Sequence, residues 1–119
     1  KTDNQIQIIS KAFALRIIKL YAYLRDAKKE FVMSKQLLRC GTSIGANVRE
    51  SLNAQSKADF INKLNIALKE ADETQYWLEL LHESDFLNDD EFTSIYEDAS
   101  RIVGTLTKII KTSKSTADA

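Results

Sequence analysis

No proline interrupts this chain of 119 residues, and only three glycines occur. Proline is the strongest helix breaker and glycine the next, so nothing here stops long helices and an all-α fold is favoured from the outset. The apolar residues carry the matching period. Ile6, Ile9, Phe13, Ile17, Leu20 and Leu24 recur at gaps of three and four, which draws one stripe down a helix over about residues 4–26. Phe92, Ile95, Ala99, Ile102, Leu106 and Ile109 repeat the pattern near the other end as a heptad seam, behind Asp89, Asp90 and Glu91 placed for a positive helix terminus.

Between these lie two further helical segments. Ser34 is predicted to cap a helix reaching about Ala54, with Leu37, Cys40 or Gly41, Ile44, Val48 and Leu52 facing inward. Ser56 followed by Asp59 has capping spacing and opens a third helix to about Glu83. Its stripe is Phe60, Leu64, Ala67 or Leu68, Ala71, Leu78 and Leu81, and at about 1.5 Å per residue it spans about 40 Å. The linking turns at 27–30 and 84–90 are short, and a short link forces neighbouring helices antiparallel. The expected architecture is an antiparallel up-down-up-down four-helix bundle forming one domain over residues 1–111. Residues 112–119, rich in Ser, Thr and Lys, are expected to be a frayed C-terminal tail.

Formal charge is zero, yet it is unevenly spread: +6 over residues 1–50, −9 over 51–100 and +3 over the rest. Such asymmetry fits a basic face, complementary contact between subunits, or plain helix-by-helix solvation. The cations singled out for a phosphate backbone are Arg16, Lys19, Arg25, Lys28, Lys29, Lys35, Arg39 and Arg49, all on the first two helices and their connection. Tyr21, Tyr23, Tyr76 and Trp77 add aromatic surface that packs or stacks. The one cysteine, Cys40, has no disulfide partner within the chain and sits in an apolar pattern, which suits a reducing cytoplasm. No long uncharged apolar run and no signal-peptide pattern occurs, so membrane insertion is not expected.

Catalytic patterns fail on inspection. Gly41-Thr-Ser-Ile-Gly45 lacks the Lys-Ser/Thr pair of a phosphate loop and follows no strand; two glycines four apart on a helix instead let a second helix come close. Ser43, Asn47 and Glu50, beside that stripe, form a polar ladder directed at the third helix or simply a solvated edge. Glu79-Leu-Leu-His82 has the Glu-x-x-His spacing of di-iron bundles, but His82 is the only histidine and no second motif exists. The same shortage removes histidine-activated nucleophiles. Glu70 and Glu73 are spaced for a carboxylate pair or for a salt-bridged face. No enzyme activity, cofactor or metal is expected.

Arg39, Ser43-Ile44, Asn47-Val48, Glu50, Ser56, Phe60, Leu64, Ala67-Leu68-Lys69-Glu70, Glu73-Thr74 and Tyr76-Trp77-Leu78 together resemble the four-helix-bundle proteins encoded in intervening sequences of large-subunit ribosomal RNA genes. Relatives commonly carry Ala-Glu-Gly after the Asn-Ile pair, whereas this chain has Arg49-Glu50-Ser51. The family looks similar to the accessory variability proteins of diversity-generating retroelements, which form pentameric barrels and bind nucleic acid and a reverse transcriptase. The resemblance therefore implies a homopentamer that contacts RNA or a nucleoprotein; a protein scaffold without nucleic acid is the alternative. Ile8, Leu15, Ile18 and Ile66, which fall outside the bundle stripes, are the residues expected at the subunit contact.

Overall fold

The computed structural model of the chain describes residues 2–117. It contains four helices, α1 (Thr2–Asp26), α2 (Met33–Ser51), α3 (Lys57–Glu83) and α4 (Asp89–Ala117), in a body of 52 × 22 × 20 Å. Each helix packs on its neighbours in sequence and α4 closes the ring against α1, while the diagonal pairs stay apart. Cross-helix contacts fix the directions of successive helices, with Ile17 against Gly41 and Ser10 against Gly45 setting α1 antiparallel to α2. Glu50 meets Lys63 while Cys40 meets Thr74, so α2 and α3 are antiparallel. Gln75 meets Ser100 and His82 meets Asp89, so α3 and α4 are as well. The expected up-down-up-down bundle is what forms.

The two predicted seams build the core. Ile6, Phe13, Ile17 and Leu24 from α1 meet Leu37, Ile44 and Val48 from α2, with Leu64, Leu78 and Leu81 from α3 and Ile95, Ile102 and Leu106 from α4. Ile9, Leu20 and Phe60 sit at its edge, partly covered. Leu52 departs from expectation: α2 ends at Ser51, and residues 52–54 make tight i to i−3 amide bonds that turn Leu52 outward. Helix α4 likewise continues to Ala117, so 112–117 is helical where fraying was expected. Nothing after Gly104 breaks it, and Lys111 and Lys114 complement its negative end. Residues 118 and 119 of the expected tail lie outside the described residues.

Helix starts are set by side-chain caps. Ser56 caps α3 as predicted, its hydroxyl accepting from the Asp59 amide at 3.0 Å. Asn88 and Glu91 cap α4 reciprocally, each side chain accepting the other's amide at 2.8 Å. Ser34 does not cap α2; it is buried within the first turn. Glu30 takes that role. Its carboxylate accepts from the amides of Val32, Met33 and Ser34 at 3.2, 3.0 and 2.7 Å, and the Ser34 hydroxyl donates back to the Glu30 carbonyl at 2.8 Å. A longer side chain starting four residues upstream satisfies three orphan donors where a serine satisfies one. Burial raises the Glu30 pKa, but the three amides outweigh it and the carboxyl is held below its ordinary value.

The α1–α2 contact is a close one at both of its glycines. A Cβ added at Gly41 would lie 2.9 Å from two carbons of Ile17, and one at Gly45 would lie 3.3 Å from the Ser10 carbonyl oxygen. Ile17 is fully buried and the Ser10 oxygen belongs to backbone, so neither neighbour can yield freely. Gly104 faces open space and has no unusual φ. Two opposite outcomes follow for the same kind of change. Gly45→Leu is expected to lower stability by about 1–3 kcal/mol through overpacking, although leucine is the better helix former. Gly104→Ala is expected to raise it by about 0.5–1 kcal/mol. Urea midpoints decide both, and an unchanged or raised midpoint for Gly45→Leu would refute the close-contact account.

A second expectation concerns acid. Because the folded Glu30 pKa is depressed, its contribution is fully present above the ordinary value of 4.5 and is lost as pH falls through the folded value. Glu30→Ala is expected to cost about 1–3 kcal/mol at pH 7 by leaving amide donors unpaired. The gap between wild type and variant should narrow below pH 4.5; a gap independent of pH would show that the charge is irrelevant to the cap.

Candidate nucleic-acid interface

The eight candidate cations do not share one face. Arg16 bridges α1 to α4, bonded to Asp98 at 2.7 Å and to the Ser94 hydroxyl and carbonyl at 2.5 and 3.2 Å. Arg39 bridges α2 to α3, paired with Glu70 at 3.5 Å and with Glu73, which also accepts from the Trp77 indole at 2.9 Å. Both arginines are clamps between helices. Their acids explain Glu70 and Glu73 as a salt-bridged face. Lys19 edges a shallow cleft between α1 and α4 that also holds Tyr23 and Glu91. Arg49 lies in the other half of the molecule, beside a cleft of about 330 Å³ between α1 and α2 that Lys11 also borders.

What remains is one group. Arg25, Lys28, Lys29 and Lys35 surround the α1–α2 turn, all exposed. Arg25 is bonded twice to Asp26, at 2.7 and 3.1 Å, and its guanidinium lies 5.2 Å from the Tyr21 ring centre; these contacts raise its pKa. Lys28 sits 5.9 Å from the centre of Tyr23. Lys29 holds a left-handed backbone at φ 57°, which reverses the chain. The turn then presents Phe31 and Val32 to solvent, 52% and 74% exposed. Sequence reasoning missed these two. Their signal was available: neither has an apolar partner three or four residues away on the core stripe of α2.

The opposite turn at this end, between α3 and α4, is acidic, with Asp85, Asp89, Asp90 and Glu91. Asp85 is left-handed at φ 70°, and the Phe86 amide returns to the Leu81 carbonyl at 2.9 Å to close α3. His82 stacks on Phe92 with ring centres 4.2 Å apart, and its Nε2 lies 2.8 Å from Asp89. Glu79 instead accepts from the Tyr96 hydroxyl at 2.6 Å, which pushes that phenol up to about 12. Glu79 and His82 therefore serve different partners. Among the described residues no three His, Cys, Asp or Glu side chains come together to hold a metal ion.

Of the expected polar ladder, only Glu50 reaches α3, at Lys63 Nζ 2.9 Å away; Ser43 and Asn47 donate back to carbonyls of their own helix. Cys40 is buried, accepts from the Thr74 hydroxyl at 3.2 Å, and has its thiol pKa pushed up by burial. No helix among the described residues is long and apolar enough to cross a membrane. On α1, Ile8, Leu15 and Ile18 stand 67%, 55% and 47% exposed on the side away from the core, whereas Ile66 is half-buried.

No curated protein matches the chain. A crystal structure of a protein of unknown function from the S23 ribosomal protein family of Bacteroides thetaiotaomicron VPI-5482 does, at 56% identity and a TM-score of 0.92, covering 93% of this chain and 99% of that one. The family model for the 23S rRNA-intervening sequence protein matches residues 2–108. With the fold, the helix order and nearly the full length in agreement, the chain belongs to the 23S rRNA-intervening sequence protein family.

Proposed function

We propose that this protein is a non-enzymatic, self-associating helical bundle that binds the phosphate backbone of structured RNA, or of a nucleoprotein, through its α1–α2 end. The observation that carries this reading is the grouping of Arg25, Lys28, Lys29 and Lys35 around one turn, where the only acids are Asp26, paired to Arg25, and Glu30, turned inward onto amides. Lysines without an ion pair keep their charge available for counterion release on phosphate binding. The family's description names 23S rRNA, which makes structured RNA the anionic partner to try first. Arg16 and Arg39 stand outside the interface because each is engaged between helices.

Replacing Arg25, Lys28 and Lys29 by Glu is expected to weaken binding to structured RNA and leave helicity intact. Each lost phosphate contact should flatten the plot of log affinity against log salt by about 0.7–0.9. Titrations of wild type and the triple variant at several salt concentrations measure both. Equal affinities and slopes would remove the RNA face from this end.

A second observation supports self-association: the outward stripe of Ile8, Leu15 and Ile18 is apolar where a monomer would place polar residues. The resemblance described above sets the proposed count at five. Light scattering is expected to give five times the 13.5 kDa chain mass, and Leu15→Lys with Ile18→Lys to give the monomer. A 13.5 kDa species for wild type at tens of micromolar, an order-of-magnitude concentration, would refute assembly.

A further inference from the structure

We infer that the Phe31 and Val32 tip of the α1–α2 turn is a stacking platform for unpaired bases, so that the RNA partner presents a single-stranded loop or bulge to this end. The assignment rests on RNA contact at the same turn and narrows it.

Two neighbouring apolar side chains more than half exposed are unusual unless something covers them. Here they are also held in place. Lys29 supplies the left-handed reversal, the Glu30 amide returns to the Leu24 carbonyl at 2.9 Å, and the Glu30 carboxylate ties down the amides of Val32, Met33 and Ser34. Phe31 is therefore displayed on ordered backbone, with the ordering cost already met in the free protein. Around it the charges favour one kind of occupant. Lys28, Lys29 and Lys35 lie within four residues of the tip in the chain and are exposed, so the local charge favours an anionic partner. The acidic α3–α4 turn at the same end repels that partner and confines it to the α1–α2 side. A paired duplex offers phosphate but hides its base faces; an unpaired strand offers phosphate to the lysines and a flat ring to Phe31.

The test titrates the full chain with a fluorescein-labelled single-stranded RNA of about ten nucleotides and with the blunt duplex of the same strand. Phe31→Ala is expected to weaken single-strand binding about 5- to 100-fold, leaving duplex affinity and the salt slope unchanged. Phe31→Leu keeps apolar bulk without an aromatic face and should behave like Phe31→Ala, while Phe31→Trp should retain or strengthen binding. Lys28→Glu with Lys29→Glu should weaken both probes and flatten both slopes. Duplex binding that depends on the lysines, with single-strand binding indifferent to Phe31→Ala, would overturn the platform and leave the RNA reading standing. Wild type that binds neither probe would remove both. Phe31→Leu with wild-type affinity, or Phe31→Ala that lowers the mass by light scattering, would overturn the platform in favour of a contact between copies. Loss of binding to vesicles of anionic lipid in Phe31→Ala, with RNA affinity unchanged, would assign the tip to a membrane surface instead.

Discussion

The close approach of α1 and α2 is the constraint on which the remaining geometry rests. Gly41 and Gly45 lie one turn apart on α2, and they let Ile17 and the Ser10 backbone into space that any side chain would occupy. Glycine in a helix interior costs about 1 kcal/mol each in propensity, so two within one turn must be offset by what the close contact gains. The gain is a fully buried Ile17 wedged where α1 meets α2. This spacing sets where the α1–α2 turn can close, and the residues of the proposed interface lie in that turn and in the helix ends beside it.

Periodicity carried the architecture because burial enforces it. The α1 and α4 stripes and the Ser56 cap are read from spacing alone, and each has the role that spacing assigns. Capping by Glu30 was not legible in the same way. A carboxylate that follows a left-handed residue and reaches forward onto the next helix's amides looks, in sequence, like one more charge in a polar turn. Ser34, at a position that satisfies the local rule, is instead drawn inside, where its hydroxyl bonds the carbonyl of the residue that replaced it as cap. Local rules name the residue types able to cap; the path of the turn decides which one arrives.

The candidate site divides along the same line. A list of cations on the first two helices is a statement about composition, and Arg16 and Arg39 differ from Lys28 and Lys35 only through partners on helices far away in the chain. Asp98 lies 82 residues from Arg16, and Glu73 lies 34 from Arg39. Such pairings become visible only once the helices are assembled. The exposed Phe31 and Val32 are a different case: their lack of apolar partners at helical spacing is legible in the sequence, and geometry adds only how far each is exposed.

The ring of helices is not closed evenly. Three of its seams join helices that follow one another through turns of five or six residues, whereas α1 and α4 meet from opposite ends of the chain. That seam carries two clefts and is bridged by Arg16 with Asp98 and Ser94. Contacts between sequence neighbours form at little loop-closure cost, so the two hairpins α1–α2 and α3–α4 can assemble early and the last seam is the one that must wait for distant segments to find each other. In the native state the same seam is the one expected to open first: amides along α1 and α4 should exchange through partial opening, whereas those of α2 and α3, each helix held on both sides by a sequence neighbour, should exchange only through global unfolding.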